Sequence, residues 1–275
     1  MLQDIAPHIY HNPYLPVPPR DDSPLLCYGH NTILCRLEDG QLTYPTFGQL
    51  RASCPAPRYL FAIDDIAYFL GEDDAALPGF AMEPTAIFRT SAPRETAFAG
   101  VTGLQLHQWY GDSRFCGHCG GETVPDSKER MLYCPRCHNM IYPRISPAVI
   151  VAICDGERLL LTRYANRPFK KYALIAGFAE IGESIEDTVH REVHEEVGLA
   201  VRDLTFYKSQ PWSLSGSLLL GFFARLDGSD HITLQEDELA EGCWIQRGDL
   251  DQADENFSLT NEMIRLFAAG NDPFS

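Results

Sequence analysis

The sequence has no apolar run of the length that crosses a bilayer, about 18 or more consecutive residues. No membrane-spanning helix and no membrane partner are expected. The pattern of a secretory leader is missing too: Met1-Leu2-Gln3-Asp4 carries no basic region ahead of an apolar stretch. Basic residues are scarce, with 22 Lys and Arg against 38 Asp and Glu, a net charge of −16. An acidic surface repels phosphate backbones and anionic lipid, which argues against non-specific nucleic-acid binding. It still permits a phosphate substrate, because bound cations reverse the sign locally. Internal repeats and long low-complexity tracts are absent. What is present is ordinary for a globular chain: 275 residues, 45% apolar and 22% charged. That length suggests two domains, or two and a small module.

The nine cysteines divide into two groups. Cys27, Cys35, Cys54, Cys154 and Cys243 are scattered in mostly apolar surroundings and read as reduced core residues. An odd count without a leader points to a reducing compartment, the cytoplasm. The other four form Cys116-x-x-Cys119 and Cys134-x-x-Cys137, with 14 residues between the pairs. Two such knuckles bring four thiolates to one tetrahedral Zn²⁺. Gly117, Gly120 and Gly121 permit the sharp turns. A redox dithiol or two disulfides are the alternatives, which a cytoplasmic location disfavours. A closed four-thiolate site leaves no open coordination position, so the zinc is expected to be structural. The module carries Arg114, Lys128, Arg130 and Arg136, but in so acidic a chain a scaffolding role is the better reading.

Along the chain, residues 1–24 hold six prolines and read as an extended arm. Ile33–Leu37, Asp39-Gly40 and Leu42–Tyr44 read as a hairpin, Tyr59–Ile63 and Ile66–Leu70 as two more strands, and residues 94–110 as a helix. The expected domains are 1–110, an α+β and mainly β domain with the Pro-rich arm; 111–143, the zinc ribbon; and 144–275, a mixed α/β domain. In the last of these, Ala148–Cys154 and Arg158–Arg163 read as a hairpin about Asp155-Gly156. Ala173–Ala176, Leu204–Tyr207 and Leu218–Ala224 follow as strands. A final helix spans roughly Leu259–Ala269, with Ser258 as its N-cap.

The remaining helix carries the chemistry. Ser184 is a good N-cap with Asp187 as its capping partner, and Gly198 is a natural stop, so a helix is expected over Ile185–Val197. Ile185, Val189, Val193 and Val197 form a stripe that should face the core. Glu192 and Glu196 fall beside Ile185, one turn apart. Like charges at that spacing destabilise a bare helix, and the edge of a buried stripe makes them costlier. A divalent cation between them removes both penalties, and oxygen ligands suit Mg²⁺ or Mn²⁺. The competing reading is a solvated acidic face with Glu195 paired to Arg191.

Residues 177–199 satisfy G-x5-E-x7-R-E-U-x-E-E-x-G-U (U apolar) at every defined position: Gly177, Glu183, Arg191, Glu192, Val193, Glu195, Glu196, Gly198 and Leu199. This segment resembles the Nudix box, and the chain therefore resembles the Nudix hydrolases, α/β/α sandwiches that cleave a nucleoside diphosphate linked to another group. Two features resemble the NADH pyrophosphatase branch, over about residues 110–270. One is the four-cysteine module ending in Tyr142-Pro143-Arg144. The other is Ser209-Gln210-Pro211-Trp212 with Ser217, near the branch's SQPWPFPxS. The chain departs from that motif at Ser213-Leu214-Ser215, which lacks two prolines and an aromatic ring and puts substrate preference in question.

The resemblance implies hydrolysis of NADH or NAD⁺ to nicotinamide mononucleotide and AMP, removal of NAD caps from RNA, and a homodimer. It implies Mg²⁺ or Mn²⁺ at Glu192, Glu196, Glu238 and the backbone carbonyl of Ala176, with Glu195 or Glu238 as general base. Glu183 and Glu195 would support the site through Arg191. Gln210, Pro211, Trp212, Ser213, Leu214, Ser215, Gly216 and Ser217 would form the loop holding the adenylate side. Phe178 and Tyr142 offer flat faces for a base, with core packing as the alternative. Glu129 and Thr260 align with minor substrate contacts. Three rival readings stand beside this one: hydrolysis of ADP-ribose or a dinucleoside polyphosphate, a decapping enzyme of NAD-capped RNA, and a non-catalytic nucleotide sensor.

Overall fold

The segment Ala148–Cys154 sends alternate side chains to opposite faces of one strand. In a computed structural model, which describes residues 1–73, 75–165, 172–235, 239–250 and 257–274, that strand is Ser146–Asp155. Val149, Val151 and Ile153 enter one apolar cluster, and Ile150, Ala152 and Cys154 enter another. Period-two alternation with both faces apolar is what a central, doubly covered strand requires. The strand pairs parallel with Ser217–Asp227 and antiparallel with Arg158–Tyr164 and Ile175–Phe178. The six-stranded sheet runs Ala200–Trp212, Ser217–Asp227, Ser146–Asp155, Arg158–Tyr164, Leu239–Gln246, with Ile175–Phe178 also joined to Ser146–Asp155.

Helix Ile185–Val197 covers one face through the fully buried Val189, Val193 and Val197. Helix Leu259–Ala268 covers the other through Leu259, Met263 and Phe267. Burying each such side chain contributes about 1.5–3 kcal/mol. The result is the expected α/β/α sandwich. Gly221 permits the close seating of the second helix: a Cβ there would lie 2.8 Å from Met263 Sδ.

The expected hairpin about Asp155-Gly156 forms, but it pairs only next to its turn, at Cys154–Leu159 and Asp155–Arg158. Ile175–Phe178 takes over the pairing of 148–151. This places the third strand two residues later than the expected Ala173–Ala176, because Ala173 makes only a bridge to Thr162.

The chain divides into two compact units: Met1, Ile145–Trp212 and Ser217–Ser275 in one, Leu2–Arg144 and Ser213–Gly216 in the other. In the second unit the expected hairpin joins Thr32–Glu38 to Gln41–Thr43. Its turn residues Asp39 and Gly40 have φ of 50° and 78°, as a type I′ turn demands. The expected strand Tyr59–Ile63 begins one residue earlier, as Arg58–Ile63, Ile66–Leu70 stands as read, and the expected helix runs two residues further, over Arg94–Asp112. Tyr28 Oη donates to Gly100 O of that helix at 2.6 Å.

The proline-rich arm is not extended throughout, since it turns at 2–3, 6–8 and 21–22, and it is docked. Tyr10 and His11 add a strand to Arg58–Ile63, and Ile9 N donates to Asp64. Arg130 donates to Asn12 Oδ1, Asn12 O and Leu60 O. That basic side chain thus holds the arm, in keeping with a scaffolding module. Cys27, Cys35, Cys54 and Cys154 are buried thiols as expected, and Cys243 is half-buried.

Candidate active site and metal centre

The helix Ile185–Val197 begins and ends where its capping residues dictate. Ser184 Oγ accepts from Asp187 N at 3.1 Å, and Gly198 takes the left-handed conformation, φ 68°. With its valines turned inward, the helix carries Glu192 and Glu196 into the edge of the core. Glu192 is 9% exposed and Glu196 2%. Gly177 makes this possible, since a Cβ at that position would fall 1.8 Å from Glu192 Cδ. Ala176, whose carbonyl is a candidate ligand, precedes it in the same strand. Two buried carboxylates one helical turn apart, beside a backbone, form an oxygen-only donor set. That set fits a hard divalent cation. Glu238, the further ligand and alternative base, lies outside the described residues.

Arg191 is the hub of the site. Its Nε donates to Glu183 Oε1 at 2.7 Å and its Nη2 to Glu183 Oε2 at 2.9 Å. Nη1 donates to Glu192 Oε1 at 2.7 Å and to Glu195 Oε2 at 2.9 Å, and Nη2 also reaches Phe178 O at 2.8 Å. The guanidinium, then the Glu180 N–H and the Thr188 hydroxyl, hold the Glu183 carboxyl at about 2, against an opposing effect of burial. The same carboxylates raise the pKa of Arg191. So Glu183 and Glu195 are tied to Arg191 as expected from the sequence. The links to Glu192 and to Phe178 O were not anticipated: adjacent helical residues do not face each other, and only the length of the arginine side chain brings its head back. Thr188, fully buried, donates to Glu183 Oε2 at 2.8 Å and was also missed. Its one signal was a small polar residue just inside the helix.

Phe178 is 53% exposed and Tyr142 52%, so neither ring is packed in a core. Tyr142 Oη donates to Glu129 Oε2 at 3.0 Å, which joins two of the expected substrate contacts and raises the phenol pKa. The expected loop 210–217 is instead a hairpin tip. Gln210, Pro211 and Trp212 end strand Ala200–Trp212, Ser213–Gly216 turn, and Ser217 opens the next strand. Pro211 is tolerated because this is an edge strand. Gly216 has φ 65°. Ser213 and Ser217 are buried, Leu214 is half-buried and Ser215 is exposed. Gln210 is fully buried, and its side chain reaches the start of helix Leu259–Ala268, where Thr260 sits in the first turn.

The four thiols converge in the second unit. Cys116 Sγ lies 3.6 Å from Cys137 Sγ, and Cys119 Sγ 3.5 Å from Cys134 Sγ. Among the described residues this is the one group of three or more ligand side chains close enough to share an ion. In the first knuckle Gly120 donates to Cys116 O at φ 71°. In the second, His138 does the same to Cys134 O at φ 63°, where a glycine would be the residue expected. The His118 N–H leads the groups that hold the Cys116 thiol down at about 6.

A NUDIX domain model matches residues 144–267, and an NADH pyrophosphatase zinc ribbon domain model matches residues 112–142. A relative from Chromobacterium violaceum, named NAD-capped RNA hydrolase NudC, is 33% identical over 91% of this chain and 94% of its own length. The chain belongs to the Nudix hydrolase family. A relative of the same name from Pseudomonas aeruginosa strain LESB58 is 33% identical to this Nudix hydrolase over 84% of each chain. Another, from Pseudomonas syringae pv. tomato, is 40% identical over 60% of this hydrolase and 59% of its own length. The zinc ribbon match places it in the branch that the cysteine pairs suggested. Among its described residues, no helix is long and apolar enough to cross a membrane.

Proposed function

We propose that this Nudix hydrolase cleaves the diphosphate of NADH and NAD⁺ to nicotinamide mononucleotide and AMP, and removes NAD caps from RNA. The observation that carries the reading is the pair Glu192 and Glu196, buried one turn apart against the Gly177 backbone. The names of the relatives support the choice of substrate. Mg²⁺ or Mn²⁺ would be held by Glu192, Glu196, Glu238 and the Ala176 carbonyl. When bound, such an ion neutralises charge on the phosphate oxygens and polarises water. Water adds to one phosphorus, the bridging P–O bond breaks, and the water's proton passes to a carboxylate. Glu195, half exposed and held by Arg191, would accept that proton, with Glu238 as the alternative. Phe178 and Tyr142 offer exposed rings for a base, with Glu129 and Thr260 as minor contacts, and the hairpin tip beyond Gln210, residues 211–217, would hold the adenylate side.

In this reading the ribbon over 111–143 holds a structural Zn²⁺, 1–110 is the N-terminal domain and 144–275 the hydrolase domain. The enzyme works as a cytoplasmic homodimer. The test is product analysis with NADH, NAD⁺, ADP-ribose and NAD-capped RNA side by side, with Mg²⁺ and with Mn²⁺. Preference for the NAD-type substrates is expected. The departure at Ser213-Leu214-Ser215 favours a second reading, in which ADP-ribose or another nucleoside diphosphate is the better substrate, and preference for it in this panel would displace the first.

A further inference from the structure

Gln210 belongs to the motif that implied a substrate loop, yet its amide is already engaged. Its Nε2 donates to Phe257 O at 3.1 Å, and its Oε1 accepts from Leu259 N at 2.7 Å. Leu259 is the first residue of helix Leu259–Ala268, whose N–H has no partner within the helix. Ser258 Oγ takes the Asn261 N–H at 3.3 Å, so cap and glutamine each satisfy one of the orphan donors. The whole Gln210 side chain is buried, where an amide that lost these bonds would be costly.

A second tie lies two residues earlier in the same strand. Lys208 Nζ and Tyr207 Oη both donate to Glu262 Oε1, at 2.7 and 2.6 Å, in the first turn of that helix. Beyond Gln210 the strand ends at Trp212, whose ring meets the Phe257 ring edge-on at 5.3 Å. The residues that bracket the clamp are thus those that set where Trp212 and the turn after it begin.

We infer that Gln210 is a positioning residue rather than a substrate contact: with the Lys208–Glu262 pair it locks the helix start to the strand and so fixes Trp212 for substrate binding. The inference rests on the hydrolase reading above for its kinetic test, and a second readout is independent of turnover.

The experiment uses the full chain with Gln210→Met, Glu262→Ala and the double variant. Steady-state kinetics are measured on whichever diphosphate the wild type cleaves. Gln210→Met is expected to raise KM about tenfold with kcat within about threefold. Glu262→Ala, which removes the second tie and leaves the Gln210 side chain in place, should raise KM in the same direction. The double variant should fall short of the product of the two, since both ties act on one element. In ¹⁹F spectra of protein labelled with 5-fluorotryptophan, the Trp212 resonance should move in each variant while those of Trp109 and Trp244 stay.

Gln210→Met raising KM while Glu262→Ala leaves KM and the Trp212 resonance unchanged would make Gln210 a direct contact and overturn the inference. A lower active fraction at unchanged KM would reduce the clamp to a structural brace and overturn it too. If the wild type cleaves no nucleoside diphosphate, the hydrolase reading fails, and the ¹⁹F result alone decides: an unmoved Trp212 resonance refutes the clamp.

Discussion

The Cβ that Gly177 does not carry would lie 1.8 Å from Cδ of Glu192. The strand backbone and the carboxylate therefore share a space with no room for a methyl group. Gly177→Ala should displace Glu192 and cost about 1–3 kcal/mol in stability, as overpacking does. Turnover should fall at least about a hundredfold, as expected when a catalytic constellation shifts by about 1 Å. Thermal unfolding and kcat in Mn²⁺ check both halves. Wild-type turnover in the alanine variant would show that the Glu192 position is not critical.

Glu196→Gln keeps the shape of the side chain and removes a charge that is 2% exposed. Turnover should drop by orders of magnitude, about 10²-fold or more, if the residue holds a catalytic ion. Stability in chelator should be equal or higher, because the like-charge pair with Glu192 is gone. The stabilisation that Mn²⁺ gives the wild type should shrink. Calorimetry with and without Mn²⁺ measures this, and near wild-type activity in the variant would defeat the assignment.

Arg191 holds Glu183 at about 2, below its ordinary value of 4.5. A carboxyl whose folded-state pKa is depressed adds stability above its unfolded pKa, and loses it as pH falls through the folded value. The window here is about 4.5 down to about 2. Arg191→Met should return Glu183 toward its usual range and move the acid unfolding midpoint to higher pH. Circular dichroism from pH 7 to 2 reads the shift. An unchanged midpoint would mean that the ion pair does not contribute.

Cys137 Sγ lies 3.6 Å from Cys116 Sγ in the four-thiol cluster. The wild type should release one zinc per chain on thiol modification, as a closed four-thiolate site does. Cys137→Ser should bind zinc far more weakly and unfold the ribbon first, because the ion supplies much of the folding energy of so small a module. Metal analysis and limited proteolysis around residues 112–142 test this. Retention of a full equivalent of zinc by the serine variant would count against it.

The fold was most legible where its causes are local. Ser184 and Gly198 bound the helix Ile185–Val197 through bonds to residues three or four places away, and the valine stripe follows from helical period alone. The Asp39-Gly40 turn and the spacing of the cysteine pairs are equally local. Hence both candidate metal-binding regions are legible in the sequence. The resemblance implies a loop over 210–217, but its ends belong to strands that show themselves only when paired to each other.

Within the site, the sequence by itself determined which side chains face the same way. Glu192 and Glu196 share a helix face whatever the rest of the chain does. Only the tertiary structure decided what each meets. Gly177 must press against Glu192 before its lack of a side chain has meaning, and Arg191 needs the Phe178 carbonyl in place to be oriented. Gln210 finds Leu259 N across 49 residues of chain. Period and capping are set by bonds within one turn, whereas a buried polar group takes the partner that packing delivers, and in a dry interior it must take one.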